Sequence, residues 1–468
     1  MFKRLYVKLL VCLVVILPFQ MAASAQETVN DITQLNPIMV ERVIAPTSVL
    51  EISQLVGSHN GPISIGGGRY SQGGQTACEA CLFIDMRQMN RDLKLDLARK
   101  QITVEAGISW RAVQEVIDPE NLSMRIMQSF SNFTVGGSLS VNAHGRYVGE
   151  GPIVRSVDSI KMVLADGSIV MASRTENPQL FFGAIGGYGG LGVIVEATLN
   201  LTDNVSVERV AMRMKVKDYK AWFFENIRGS KTAVFHNATL YPNEYKDLNV
   251  VTISTTSKPV DIQDRLAPPN PAGSTKRSLI GWLSNGLFGK QVKQYIYDPA
   301  IYAEPRVAWR NYEASLDVGS IEPESREKTT YVLQEYFIPV ENFDAFVPRL
   351  RAILNDRKVN VLNVAIRHAL PDQDTLLSWA PTEVFSFVLY YQQGTTEADK
   401  QAVGVWTREL IDAALDNGGR YYLPYQIHAT REQFLKAYGR APEYFELKQR
   451  VDPSYKFRNK LWEAYYRP

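Results

Sequence analysis

The sequence predicts an α+β protein of two parts, a glycine-rich domain of short strands and helices followed by a larger cap. Three observations carry this. Between residues 63 and 199, three glycine-rich segments stand at the ends of β-type runs. Residues 43–204 mix strand and helix patterns with little loop of any length. From residue 205 onward, alternating strands recur with amphipathic helices, a pattern that suits a sheet covered by helices on one side.

The chain opens on Lys3, Arg4 and Lys8, then an apolar run from Leu9 to Phe19, then Ala23-Ser24-Ala25. That order is a secretory signal, with cleavage expected after Ala25 and export to the periplasm; an uncleaved N-terminal anchor is the alternative. Lys3-Arg4 loosely resembles a twin-arginine export signal with its first arginine replaced. Removing those three cations from a chain of formal charge +2 leaves −1. A near-neutral surface excludes a nucleic-acid partner as the expectation. With 45% apolar and 21% charged residues, the rest is ordinary globular composition.

Residues 26–39 form a polar lead, expected to carry no strand from Gln26 to Leu35. Val43–Val56 reads as a short extended piece and a helix. Ile63-Ser64-Ile65 is a β-type run that delivers Gly66-Gly67-Gly68-Arg69-Tyr70-Ser71 at a strand end. Strands follow at 82–85 and 101–107, and Ser109 caps a helix over 110–117. Residues 129–147 cluster Thr134, Gly136, Gly137, Ser138 and Gly145 around His144. Asp166-Gly167 turns a hairpin between two strands, and the third glycine cluster at 183–192 runs into a strand from Val193. Glycines of this kind let backbone approach a ligand closely, and the freed N–H groups can converge on an anion. Neither a G-x-G-x-x-G dinucleotide fingerprint nor a Walker A sequence is present. Three such loops in order point to one long, phosphate-bearing ligand.

Cys78 and Cys81 remain after cleavage. In an oxidising compartment they could close a small disulfide loop; idle thiols are the alternative, and no further soft ligands stand at spacing that suggests a metal.

Over residues 40–204 the sequence resembles the flavoproteins of the vanillyl-alcohol oxidase, or p-cresol methylhydroxylase (PCMH), type. Its C-terminal part, with Arg450-Val451-Asp452-Pro453-Ser454-Tyr455-Lys456-Phe457, is similar to the aldonolactone and alditol oxidase branch. The resemblance implies a two-subdomain PCMH-type FAD-binding domain, an α+β cap over residues 205–415, and a segment at 416–468 that returns to the FAD domain. It assigns Gly66, Gly67, Gly68, Arg69, Tyr70 and Ser71 to the FAD pyrophosphate. Thr134, Gly136, Gly137, Ser138, Ala143 and His144 fall to the ribityl chain and flavin, and Gly187, Gly192, Val193 and Ile194 to the adenine side. Many relatives carry a histidine, bonded covalently to the flavin, where Tyr70 stands, so the FAD is expected to be non-covalent.

The activity implied is oxidation of a CH–OH group, with hydride passing to flavin N5. The branch reads its substrate with a Glu-x-Arg on a strand and a lysine. Here Arg367 matches the arginine, Ala365 stands in place of the glutamate, and residues 421–428 hold no lysine. The candidates left are Arg367, Gln334, Tyr425 and Gln426, with His368 or His428 as base. The donor is expected to be sugar-like, a polyol or an aldonolactone. A lipid-linked sugar and a catalytically decayed flavin module are the alternatives. The electron acceptor is oxygen or a respiratory-chain carrier, and Ala143 at the oxygen-gating position leans toward a dehydrogenase. An apolar-basic segment over 268–305 suggests peripheral membrane contact or a cover over the site.

Overall fold

The computed structural model describes residues 26–242, 244–269, 283, 288–320 and 322–466. The expected signal segment lies outside the described residues, as does most of the apolar-basic stretch between 270 and 287. The polar lead is not strandless: β1 (Glu27–Val29) pairs antiparallel with β2 (Ile38–Val40). Alternation explains this, because Val29, Ile38 and Val40 are buried in a small core of their own with Phe83.

A three-stranded parallel sheet follows, β3 (Arg42–Ile44), β5 (Leu82–Asp85) and β4 (Ile63–Gly66), with β5 in the centre. The helix Val49–Ser58 makes the crossover from β3, capped by the Ser48 hydroxyl on the Glu51 N–H. A second sheet contains β6 (Asp92–Asp96), β7 (Gln101–Glu105), β8 (Leu122–Met124), β9 (Val157–Val163), β10 (Ile169–Ser173) and β11 (Val193–Asp203). Ser109 caps the helix Trp110–Ile117 as expected, and Asp166-Gly167 turns the β9–β10 hairpin, with Gly167 at φ +85°.

The cap is one antiparallel eight-stranded sheet. Its strands are β12 (Ser206–Lys215), β13 (Ala233–Leu240), β14 (Asp247–Thr255), β15 (Arg306–Trp309), β16 (Thr329–Pro339), β17 (Val361–Ala369), β18 (Val384–Gly394) and β19 (Arg420–Tyr421), in the order β15-β12-β14-β13-β17-β18-β16-β19. The helices Phe343–Asp356 and Glu397–Asp416 pack on one face. The second starts at a capping box of Thr396 and Asp399, a device worth about 1 kcal/mol. The other face looks toward the glycine loops. Since successive residues of a strand alternate between faces, the odd-numbered residues of β16 and β17 define the wall of the site.

After the cap the chain packs back on the glycine-rich domain. Ile63 N–H donates to the Lys456 carbonyl (2.7 Å) and Arg458 N–H to the Ile63 carbonyl (2.9 Å). Lys448 and Asp452 form a fully buried ion pair at 2.9 Å, and the same ammonium donates to the Gly190 and Phe457 carbonyls. Removing one partner of such a pair costs about 3–5 kcal/mol, so this segment is tied to the third glycine loop. No described helix is long and apolar enough to cross a membrane.

Candidate active site

Three loops converge above the cap sheet. The first leaves β4 at Gly66, and Arg69 takes the left-handed conformation at φ 59°. That strain is held by its own side chain, which donates to Asp85 Oδ2 at 2.8 Å and lies over the Phe83 ring at 4.9 Å. Asp85 closes the neighbouring strand. Its carboxyl is held below the usual range against the opposing effect of burial, because Arg87 and Arg69 bind it. The second loop meets the first so closely that a Cβ on Gly67 would collide with the Thr134 hydroxyl. That hydroxyl accepts from the Gly137 N–H.

The loops and cap sheet enclose a cavity of about 470 Å³. A narrower one of about 70 Å³ continues from it toward the third loop, and both are bounded by Gly67, Ser71, Thr134 and Gly137. Of the expected cofactor residues, Gly68, Arg69, Tyr70, Ala143 and His144 line the large cavity, and Gly136, Gly192 and Ile194 the narrow one. Four do not reach either. Gly66 backs onto the Phe83 ring, and Ser138 is turned toward Trp110 Nε1 and Gln128. Gly187 packs on Gly183, with its carbonyl taken by the Tyr444 hydroxyl. Val193 is buried on the face of β11 opposite Ile194.

At the inner end of the large cavity, His144 Nε2 lies 2.7 Å from Glu335 Oε1, with both side chains almost fully buried. The Tyr425 hydroxyl donates to Glu335 Oε2 at 3.3 Å. Arg367 lines the same space. Burial opposes ionisation of Glu335, yet His144 and then Arg367 hold its carboxyl below the usual range. Burial lowers the Arg367 guanidinium, an effect that Glu335 opposes. Burial and the adjacent Glu335 raise the Tyr425 phenol well above its ordinary value, so it is neutral.

The other expected catalytic residues are not brought to this point. Gln334 faces the helices, donating to Thr407 Oγ1 (2.7 Å) and Tyr391 (3.1 Å), because β16 turns even-numbered residues away from the cavity. His368 alternates in the same way from Arg367 and pairs with Glu383 at 2.6 Å beside Phe223. Gln426 clamps the Gln72 carbonyl, and His428 lies against Gly404 and Arg408 of the helix Glu397–Asp416. Burial lowers the His368 and His428 imidazoles to about 4 in each case. Neither is placed or tuned as a base.

Glu335, which the sequence analysis does not single out, also lines the cavity. Across β18 it stands in register with Ala365, since Glu335 and Ala365 both pair with Val388. A carboxylate therefore stands on β16 in the same row as Ala365, two strands away. Strict alternation from Leu333 on β16 was the signal that could have found it.

A dinucleotide fits this space. The narrow cavity is lined by glycine backbone and the Ser71, Thr76, Thr134 and Ser140 residues among apolar Ile65, Met86, Val141 and Ile194, and it shares Gly67, Ser71, Thr134 and Gly137 with the larger one. Arg69 Nε, Ser129 Oγ and Arg367 Nε, all on residues of the large cavity, are buried polar atoms with no hydrogen-bond partner among the described residues. Residues 40–173 match the model of the FAD binding domain. The chain is 23% identical to L-gulonolactone oxidase of Bos taurus over 91% of its own length and 95% of that protein's. It is 31% identical to L-galactono-1,4-lactone dehydrogenase 2 of Oryza sativa subsp. japonica over 31% of this chain and 25% of that one. A cholesterol oxidase variant from Brevibacterium sterolicum superposes with a TM-score of 0.72 at 13% identity, covering 94% of this chain and 96% of that one. From its glycine loops to its cap sheet, the chain is an FAD-dependent oxidoreductase of the PCMH-type fold.

Proposed function

We propose that this oxidoreductase oxidises the CH–OH group of a sugar-like, polyol or aldonolactone donor, whose hydroxyl is handled by Arg367, Tyr425, Glu335 and His144. The observation that carries the reading is the unbroken line of polar contacts from the Tyr425 hydroxyl through Glu335 to His144 at the inner end of the cavity. The similarity to a gulonolactone oxidase across nine-tenths of the chain supports the lactone-like donor.

Gly67, Gly68, Ser71, Thr134 and Gly137, with Gly192 and Ile194 beyond, would hold FAD, which would supply the hydride acceptor. The chain's own residues manage the proton. Glu335 is ionised and accepts from the Tyr425 hydroxyl, so Tyr425 can take the donor's hydroxyl proton as it passes its own to Glu335 Oε2. His144 keeps the carboxylate in place. Its Nδ1 faces the Gly145 carbonyl at 3.2 Å and its Nε2 faces Glu335 Oε1, so the ring is held between the two. Arg367 offers its unpartnered Nε to the developing alkoxide. The donor's hydroxyl proton thus passes to the protein, while bound FAD would be the acceptor of its hydride.

The same reading holds FAD without a covalent bond, because Tyr70 has no imidazole to link. It places the protein in an exported compartment, a reading supported by residues 1–25 and by the Cys78–Cys81 disulfide. Anaerobic mixing with pools of aldonolactones and alditols is the test: the flavin absorbance should bleach with one of them. Bleaching by no CH–OH donor would reject the activity.

A further inference from the structure

The wall that faces the donor is a grid fixed by strand register. Its innermost row is Phe337, Ser386 and Arg367, and the next is Glu335, Val388 and Ala365. Charge stops there. One row farther out stand Leu333, Tyr390 and Asn363, and beyond them Tyr331, whose ring meets Tyr390 edge-on at 5.5 Å. Leu362 adds to this wall, and on its other sides the cavity is closed by Phe130, Phe133, Ile32 and Val318 together with polar Gln72, Gln128, Ser129 and Glu322; Gln72 is spent on the Leu333 N–H, Gln128 on Trp110 and Ser138, and Glu322 on Arg326. Farther out than the Glu335 row, Asn363 is the one amide or charged side chain that the described residues of β16, β17 and β18 present to the cavity. At the mouth, Lys293 is already committed to Asp298 Oδ2 at 2.7 Å.

A free sugar or polyol carries hydroxyls along its whole length, and each one buried needs a partner. This wall offers partners at the inner end and little beyond. Four residues of strand separate Glu335 from Tyr331, about 13 Å at the usual rise per residue. We propose that the donor is amphiphilic: its reacting CH–OH group sits against Glu335, Tyr425 and Arg367, and an aromatic or alkyl body extends outward over Val388, Leu333 and Tyr390. The segment that bounds the mouth is apolar on its outer side too, with Tyr295 and Ile296 exposed between Lys293 and Tyr297.

This rests on the CH–OH reading above, and the test separates the two. Matched pairs, a free sugar or aldonolactone and its phenyl or octyl derivative, are titrated into the oxidised holoenzyme. Binding is read from the perturbation of the flavin spectrum, and turnover from anaerobic bleaching. The derivative should bind at least about tenfold more tightly, the discrimination usual for an apolar pocket. L333N and Y390N, checked for full flavin content, should remove that preference. Equal or weaker binding of the derivative overturns the proposal, as does a preference that survives in both variants. Tighter binding without bleaching would keep the apolar body and reject the CH–OH chemistry instead.

Discussion

His144 and Glu335 come from distant parts of the chain and meet at 2.7 Å, the one from the second glycine loop and the other from β16, beside the edge strand β19 of the cap sheet. The contact joins the cofactor side of the cavity to the donor side. It also fixes the carboxylate that the proton pathway needs, so the pair is where structure and chemistry are tested together. Glu335→Gln keeps the shape and removes the charge. Anaerobic flavin reduction should fall by about 10²–10⁴-fold, the range for losing a positioned base, with FAD content unchanged. A reduction rate within a factor of a few of the parent would remove Glu335 from the pathway.

Tyr425→Phe tests the relay separately. The ring keeps its packing against Tyr422 at 5.8 Å and loses only the hydroxyl that reaches Glu335. Reduction should slow while the flavin spectrum and the melting temperature stay in place. If Tyr425 only packs, rapid-mixing traces of the variant and parent will superimpose.

Arg367→Ala removes the guanidinium whose Nε is left free for a ligand. Loss of one such donor to a developing oxyanion costs about 10²–10³-fold in rate. The variant should retain its FAD, because the loops that surround the narrow cavity do not depend on β17. Unchanged single-turnover reduction would exclude Arg367 from the site.

The Tyr70 side chain lines the cavity and stacks with Phe133 at 4.3 Å, tilted. With a phenol at that position, acid precipitation of the purified protein should leave the yellow colour in the supernatant. Colour in the pellet would mean a covalent link made elsewhere in the loops.

The fold was legible where local chemistry and periodicity agree. Ser109 announces its helix, Asp166-Gly167 its hairpin, and the three glycine loops their shared ligand. The lead was misread because polar Gln26, Thr28 and Asn30 hide the single buried Val29, and a three-residue strand leaves too short an alternation to see. The site was half legible. Of the candidates, Arg367 and Tyr425 line the cavity, whereas Gln334, His368 and His428 turn away from it. What failed is orientation: neighbouring residues of a strand face opposite ways, and only the pairing of β16 with β18 and β17 shows that Glu335, not Gln334, shares a face with Arg367. Register between distant strands is not written in either strand.

The three histidines that turn away from the site make their own prediction. Burial lowers His236 to about 3, with His368 adding to the effect, and lowers His428 to about 4, with Arg408 adding; His368 itself is lowered to about 4 by burial against the opposing pull of Glu383. In the unfolded chain each titrates near the ordinary 6.5. Between these values the unfolded state binds protons that the folded state does not, so folding stability rises with pH across that window and is lost as pH falls from about 6.5 toward 4. Each unit of separation corresponds to about 1.4 kcal/mol, and three groups act in the same direction. Denaturant titrations at a series of pH values should therefore show a midpoint that is steady above about pH 7 and declines steeply below it. His236 donates to or accepts from Tyr219 (3.0 Å) and Thr252 (2.9 Å), so His236→Gln, which keeps a polar partner without titrating, should flatten part of that decline while leaving flavin reduction unchanged. A midpoint that stays level down to about pH 5 would show that these imidazoles are not held neutral by the fold.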